Sequence, residues 1–299
     1  MSRPPRPELH LAAVARPDLG DLPFELTGCS VAGVMTWLAL QPWSVGFDCG
    51  AVPPELVRCR TLVITHGHMD HAGGLATWLA MRRLNGMRDS VVYAPEEICD
   101  VLRAIVTSWE QMHRNPFEWQ LIPMKAGDEA MLSPELKLVA LEGDHVIPTR
   151  AWAIYKRSSK LKRSLHGLDG RAIAARKRAG EEVNDVTWRP MFALTGDSRA
   201  TTVRREPVFL DAAVAVVECS FLDDRYAVER AQHGGHTHLD ELLEVPWNNQ
   251  VLVPYHVSQR YGVNTARSIL MDKLGSRLAA HVALEPLLPP ASIRLEPTQ

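Results

Sequence analysis

Hydrophobic and polar positions alternate along this chain in a consistent way: short apolar runs, each cut off by a polar tip. Residues 1–22 are rich in proline and polar groups and predict a partly extended lead-in. From Phe24 onward, short apolar stretches are punctuated by turns. Ser44–Gly50 (SVGFDCG) predicts a strand ending in a turn. Thr61–Thr65 (TLVIT) is β-branched and apolar, the pattern of a buried strand, and it stops at His66-Gly67-His68. Leu75–Leu84 (LATWLAMRRL) places apolar residues at helical spacing among strong helix formers and ends near Asn85-Gly86. The first unit is therefore strand, polar loop, helix.

The rest of the chain repeats the theme. Val91–Ala94 predicts a strand, and Ala94-Pro95 introduces a helix over Glu96–Trp109. Leu136–Leu141 alternates as a strand running up to Gly143-Asp144-His145. Ala151–Tyr155 is a further strand. Met191–Thr195 predicts a strand ending at Gly196-Asp197-Ser198. Ala212–Glu218 reads as a buried strand ending at Cys219-Ser220, and Val251–Pro254 as one ending at Tyr255-His256. Thr265–Leu274 is helical in pattern. Five of these strands end in a tip that carries His, Asp or Glu. A sheet that delivers such side chains to one edge builds a single site from distant positions, on loops held by a rigid scaffold. The fold class is α+β.

Composition narrows the picture. The 299 residues suffice for one large domain, and 46% hydrophobic with 23% charged content excludes disorder for most of the chain. Lys and Arg number 33 against 35 Asp and Glu, a net charge of −2. No global positive field draws in a polyanion, so nucleic-acid binding requires a local patch. One exists. Nine basic residues and one acid, Asp169, lie between Lys156 and Arg178. The segment sits between two core strands, so it is an insertion within a single domain spanning 1–299, an arm over 156–186 of helical character. Charges of one sign this dense repel and call for a counter-charge, which the phosphates of a polyanion would supply. Lys160, Lys162 and Arg163 are candidate phosphate contacts. The other reading is a solvated helical hairpin with no partner.

Five scattered cysteines without a CxxC pair argue against a disulfide framework and against a cysteine-rich zinc site. They fit a reducing compartment, and a cytoplasmic location is expected. The longest apolar run near the core, Ala212–Val217, is six residues, too short for a membrane span. The start, MSRPPRPELHL, has no apolar h-region, so no secretory signal is expected.

The sharpest chemistry is His66-Gly67-His68-Met69-Asp70-His71. Imidazole nitrogen and carboxylate oxygen suit zinc in a catalytic site, and they also accept manganese or iron. Alternation in an extended loop points His66 and His68 the same way, toward one metal. Asp70 and His71 fall at the start of a helix and can face a second. His145, Asp197 and His256 each follow an apolar strand and could complete the ligand sets. Taken singly, each is an ordinary polar residue at a sheet edge; taken together, they read as ligands.

HGHMDH resembles the HxHxDH signature of the metallo-β-lactamase superfamily. The remaining pieces resemble, more narrowly, ribonuclease Z, the tRNA 3′-processing endonuclease. GDH (Gly143–His145), TGDS (Thr195–Ser198), ECSF (Glu218–Phe221), GHTH (Gly235–His238) and HVSQRY (His256–Tyr261) are similar to its motifs in order, over roughly residues 45–265. The resemblance implies a four-layer αβ/βα sandwich. It implies one zinc on His66, His68 and His145, a second on Asp70, His71 and His256, and Asp197 bridging both. Asp70 would also orient the attacking hydroxide. His236, favoured over His238 through the motif and helped by Glu218, would protonate the leaving 3′-oxygen. Ser258 and Arg260 would lie near the phosphate. Precursor tRNA as substrate and a homodimer in which one subunit's arm serves the other's site are implied as well. The chemistry is coherent: two zinc ions about 3.5–4 Å apart activate water and clamp the attacking and leaving oxygens. The residues by themselves leave other substrates open: a small phosphodiester, a thioester or a lactone. A non-catalytic RNA-binding protein is a third class, against which the intact ligand set speaks.

Overall fold

The structure, a computed structural model, describes residues 14–289. Most of the proline-rich lead-in lies outside the described residues. Strands β1 (Glu25–Val31), β2 (Met35–Gln41), β3 (Val45–Phe47), β4 (Thr61–Val63), β5 (Ser90–Pro95) and β6 (Trp119–Met124) lie side by side in chain order as one six-stranded sheet. Strands β7 (Glu129–Ser133), β8 (Leu136–Glu142), β9 (Arg150–Leu161), β10 (Asn184–Leu194), β11 (Val214–Glu218), β12 (Val251–Tyr255) and β13 (Ala283–Leu284) form a seven-stranded sheet, also in chain order.

Strand period decides what each face meets. On β2, Leu38 and Leu40 point between the sheets, where they meet Trp152, Phe192, Val214 and Val216. Their neighbours Trp37 and Ala39 point outward and are covered by the helices Leu75–Leu84 and Glu96–His113 through Trp78, Leu79, Leu102 and Val106. On β11, Val214 and Val216 face inward, while Ala215 and Val217 pack outward on Phe209, Leu239 and Leu270. Both faces of β11 are buried. This is why its sequence is a continuous apolar run and not an alternation. The result is the expected four-layer αβ/βα sandwich.

Direction then places the tips. β10, β11 and β12 are parallel, and β8 runs with them because both β8 and β10 are antiparallel to β9. The C-terminal ends of β8, β10, β11 and β12 therefore share one edge. At that edge the sheets are tied together: Arg150 N–H donates to Thr65 O at 2.9 Å and Ala32 N–H to Val257 O at 3.2 Å. The end of β4, with its histidine loop, is thus held against the tips of the other sheet.

The insertion differs from the expected helical arm. β9 continues to Leu161 and β10 begins at Asn184, so the pair forms an antiparallel ribbon with register Leu161↔Asn184 through Lys156↔Arg189. Beyond Lys156, β9 has left β8, and β10 meets β11 only from Phe192. The ribbon therefore extends past the rest of the sheet. Its helical part is confined to a 3₁₀ turn at Arg163–Leu165 and a helix at Gly170–Arg178. Asp169, the lone acid, caps that helix by accepting from Ala172 N–H at 2.7 Å. Arg176, Lys177 and Arg178 sit in its last turn, where the helix dipole favours cations. Among the described residues no helix is long and apolar enough to cross a membrane.

Candidate metal centre

The histidine loop follows β4 and opens a short helix, Met69–Ala72. His66 and His71 are fully buried on it. His66 Nε2 lies 3.0 Å from His68 Nδ1, and His68 Nδ1 lies 3.4 Å from His145 Nε2, delivered by the turn after β8. His71 Nε2 lies 3.3 Å from His256 Nε2, at the end of β12. Asp70 Oδ2 is 3.7 Å from His71 Nε2 and 3.5 Å from His256 Nε2. Asp197, after β10, stands between the two groups. Its Oδ2 is 3.8 Å from His66 Nε2 and 3.3 Å from His256 Nε2, and its Oδ1 is 3.2 Å from His71 Nε2. All seven expected ligands converge.

The residues fit metal ions on two grounds. First, four ligands about 2.0–2.1 Å from a tetrahedral ion are about 3.3 Å from one another, and the separations above scatter around that edge. Secondly, Asp197 is buried, and its Oδ1 makes no well-aligned hydrogen bond although His71 Nε2 lies 3.2 Å away. A buried carboxylate is costly unless cations meet it. His66, His68, His145 and Asp197 form one set able to hold an ion, and Asp70, His71 and His256 form another.

Electrostatics divide the two sets. Burial pushes protons off His66, His68 and His145, leaving neutral imidazoles. Burial would do the same to His71, but Asp197 and Asp48 reverse it and hold its pKa well above the usual value. Burial also opposes the charge on His256, yet Asp197 and Asp70 raise it to about 9. Asp197 is correspondingly held far below the carboxylate range, against its burial, by His256 and His71.

Outer partners fix the rings. Asp48, fully buried after β3, lies 2.7 Å from His71 Nδ1 and accepts from Thr65 N–H at 2.8 Å. His145 Nδ1 donates to Gly235 O at 2.8 Å, which leaves Nε2 for the metal. Gly235 has φ +79, and a Cβ there would sit 2.6 Å from that same Nδ1, so only glycine serves. Asp144 ties the loops together: Arg199 Nη1 donates to it at 2.6 Å, while Arg199 Nε donates to Gln232 O at 2.6 Å. Asp48 and His256 both hold left-handed φ, at 55° and 61°, backbone strain of the kind that gathers at functional sites. Asp48, Asp144 and Arg199 were not singled out by sequence. Asp48 does carry a faint signal, an acid at the tip of an apolar strand in GFDCG.

Glu218 is buried at the tip of β11. It accepts from Ser220 Oγ and from Thr237 N–H, and Oε1 stands 3.2 Å from His236 Nδ1. Burial opposes ionisation of both groups, but each favours the other's charge: Glu218 is lowered and His236 raised. His238 is placed elsewhere. It is buried, and its Nδ1 accepts from Asp240 N–H at 3.1 Å as the cap of the helix Leu239–Leu242. Arg225 pairs with Asp223 and not with Glu218. Ser258 and Arg260 line a pocket of about 540 Å³ together with Gly33, Phe221 and His236. Ser258 is buried and Arg260 exposed. Lys160 and Arg163 are exposed and Lys162 is half-buried; all three lie on the arm and none lines that pocket.

Comparison with known proteins agrees with this fold. Residues 47–256 match the beta-lactamase superfamily domain. The chloroplastic tRNase Z TRZ2 of Arabidopsis thaliana is 30% identical over 275 residues, covering 91% of this chain and 77% of that protein. The tRNase Z TRZ1 of the same plant is 30% identical over 244 residues, covering 80% and 87%. The crystal structure of human tRNase Z, short form, superposes with a TM-score of 0.57 at 17% identity, covering 87% of this chain and 95% of that one.

Asp48 supplies a measurable consequence. Asp48→Asn keeps the shape and removes the charge behind His71. Metal affinity at the Asp70–His71–His256 set is expected to fall by roughly 10- to 100-fold, read by chelator competition. The His66–His68–His145 set should hold its ion as before. Equal weakening of both sets would contradict the geometry.

Proposed function

The chain belongs to the beta-lactamase superfamily and is a ribonuclease Z-like hydrolase, and from that premise we propose a zinc-dependent endoribonuclease that cuts precursor tRNA just after the discriminator base, leaving a 3′-hydroxyl on the tRNA. The observation that carries this reading is a pair of ligand sets with Asp197 within 3.2–3.8 Å of imidazoles from both, set beside an acid–histidine couple. His66, His68 and His145 would hold one zinc and Asp70, His71 and His256 the other, with Asp197 between. When bound, the ions supply a nucleophile near neutral pH and offset the phosphate charge.

The chain's own residues do the remainder. Asp70 is held at the pocket wall by Gly33 N–H at 2.8 Å and orients the nucleophile. Glu218 holds Nδ1 of His236, so the protonated ring presents its Nε2–H to the leaving 3′-oxygen. Ser258 and Arg260, in the wall of the same pocket, meet the phosphate. The exposed basic residues of the arm bind RNA backbone away from the metals. Only one ion pair forms among the described residues of the arm, Arg176 with Glu181 at 3.4 Å, so most of its charge is free for phosphates. A homodimer is part of the proposal. It is supported by Val101, Ile105, Trp109 and Met112, which leave an apolar stripe exposed along the helix Glu96–His113. The cysteines, free and buried, suit the cytoplasm.

The primary test is a 3′-extended tRNA transcript incubated with and without chelator, the cut mapped to the nucleotide. One cut after the discriminator base, lost with chelator, is expected. Asp197→Ala should abolish it while circular dichroism stays unchanged; turnover in that variant would remove the bridging role.

Leaving-group chemistry isolates His236. An RNA 3′-alkoxide needs a proton and p-nitrophenolate does not. His236→Ala should cost about 10²- to 10⁴-fold in turnover of RNA and far less with bis(p-nitrophenyl) phosphate. Equal losses on both would reject the acid role.

The arm separates an RNA substrate from a small one. Deleting residues 157–180 should raise KM for precursor tRNA and flatten its salt dependence, while bis(p-nitrophenyl) phosphate is still hydrolysed. An unchanged KM for precursor tRNA would favour a small phosphodiester, thioester or lactone as the natural substrate.

A further inference from the structure

Beside the pocket stands a cluster that the metal chemistry does not use. Phe221 lies three residues past Glu218, and its ring centroid is 6.4 Å from that of His236. Tyr226 follows, 5.2 Å from Phe221. Two guanidinium groups from different elements lean on the Tyr226 ring. Arg230, on the helix Val228–His233, has its Cζ 5.3 Å from the centroid. Arg260, on the turn after β12, has its Cζ at 5.5 Å. Both arginines are exposed and Tyr226 is half-buried.

Neither Arg230 nor Arg260 has a carboxylate within ion-pair distance among the described residues, whereas Arg225 close by is committed to Asp223 at 2.9 Å. Packing alone does not call for two unpaired cations on one half-buried ring. A π-face interleaved with guanidinium planes is what single-stranded nucleic acid uses: the ring or plane takes a base, and the charge takes the adjoining phosphate. Phe221 and Arg260 line the pocket with His236, so the cluster is continuous with the reacting centre.

We propose that Tyr226, flanked by Arg230 and Arg260, seats the nucleobase of the last retained nucleotide, the one whose 3′-oxygen leaves. The side follows from His236: Phe221 shares the pocket wall with it, so a sugar whose 3′-oxygen takes its proton has Phe221 and then Tyr226 as the aromatic surface on hand. The inference rests on the proposed function for the placement of the 3′-oxygen, and it adds a base-binding subsite to that reading.

The experiment is a cycle between protein and substrate. Three 3′-extended tRNA transcripts are compared: unmodified, abasic at the last retained nucleotide, and abasic at the first trailer nucleotide. For wild type, the first abasic site should lower kcat/KM by roughly 5- to 150-fold, the range of one base stack, and the second should do so far less. Tyr226→Ala should lose a similar factor on the unmodified transcript and little more on the first abasic one. Tyr226→Trp should restore most of the loss. The ratio between losses on RNA and on bis(p-nitrophenyl) phosphate, which has no base, should move by the same factor. Additive losses, coupling to the trailer position instead, or equal losses on both substrates would overturn the inference, the last by showing a structural role. A wild-type chain that cuts no transcript at all defeats the proposed function first, and the inference with it.

Discussion

The Asp197 carboxylate is buried where two groups of imidazoles meet, its oxygens 3.2–3.8 Å from three of their nitrogens. An arrangement of that kind is unfavourable in a protein interior unless a cation completes it. The rest of the site can be understood from this. The sheets must be joined edge to edge so that the β4 loop reaches the β10 tip, and the Arg150–Thr65 and Ala32–Val257 backbone bonds join them there. The tips must also be rigid, so an outer ring of polar partners is needed: Asp48 behind His71, Gly235 behind His145, Ser220 beside His256.

The two ligand sets are not equivalent. Burial lowers the proton affinity of His66, His68 and His145, so protons compete less with an ion for those nitrogens. His71 and His256 are surrounded by Asp48, Asp70, Asp197 and Glu218, which favour their charged forms. An ion at that set must compete with protons for the same nitrogens, and its hold weakens as pH falls. Asp197 faces imidazoles of both sets, at 3.8 Å from His66 and 3.2–3.3 Å from His71 and His256, so a charge at one set changes the field at the other.

Much of this was legible in the chain itself. The ligand tips show because a buried strand needs an apolar run, and a polar residue ending that run is conspicuous: TLVIT then HGH, MFALT then GDS, VLVPY then H. The hairpin β1–β2 was harder to read. Its strands carry Thr27, Gly28 and Ser30, which by composition resemble a turn, and only pairing with Ala39, Leu38 and Thr36 makes them strand. The ribbon of the arm was hidden for a different reason. Lys156–Leu161 and Asn184–Arg189 leave much of their surface to solvent, so no hydrophobic alternation marks them, and backbone pairing alone holds the register. Asp48 could not be paired with His71 from spacing, because their contact spans 23 residues with a whole strand, β4, between them. Sequence periodicity reports burial; it carries no information about which polar group turns toward which.

The net charge of −2 sets how such a protein can handle a polyanion. Without a global field, attraction must be local, and two separate places offer unpaired positive charge suited to it. The arm's cations lie on a ribbon extending beyond the sheet, suited to the backbone of a folded RNA, where position matters and sequence does not. Arg260 and Arg230 lie at the pocket rim against an aromatic ring, where one nucleotide at a time can be gripped. Between them, the carboxylates of the candidate metal centre and Glu218 would repel phosphate unless cations neutralised them. On the proposed function, the divided placement of cations would do what a uniform basic surface would not: draw RNA to the chain at a distance while leaving the reacting centre attractive only when it holds cations.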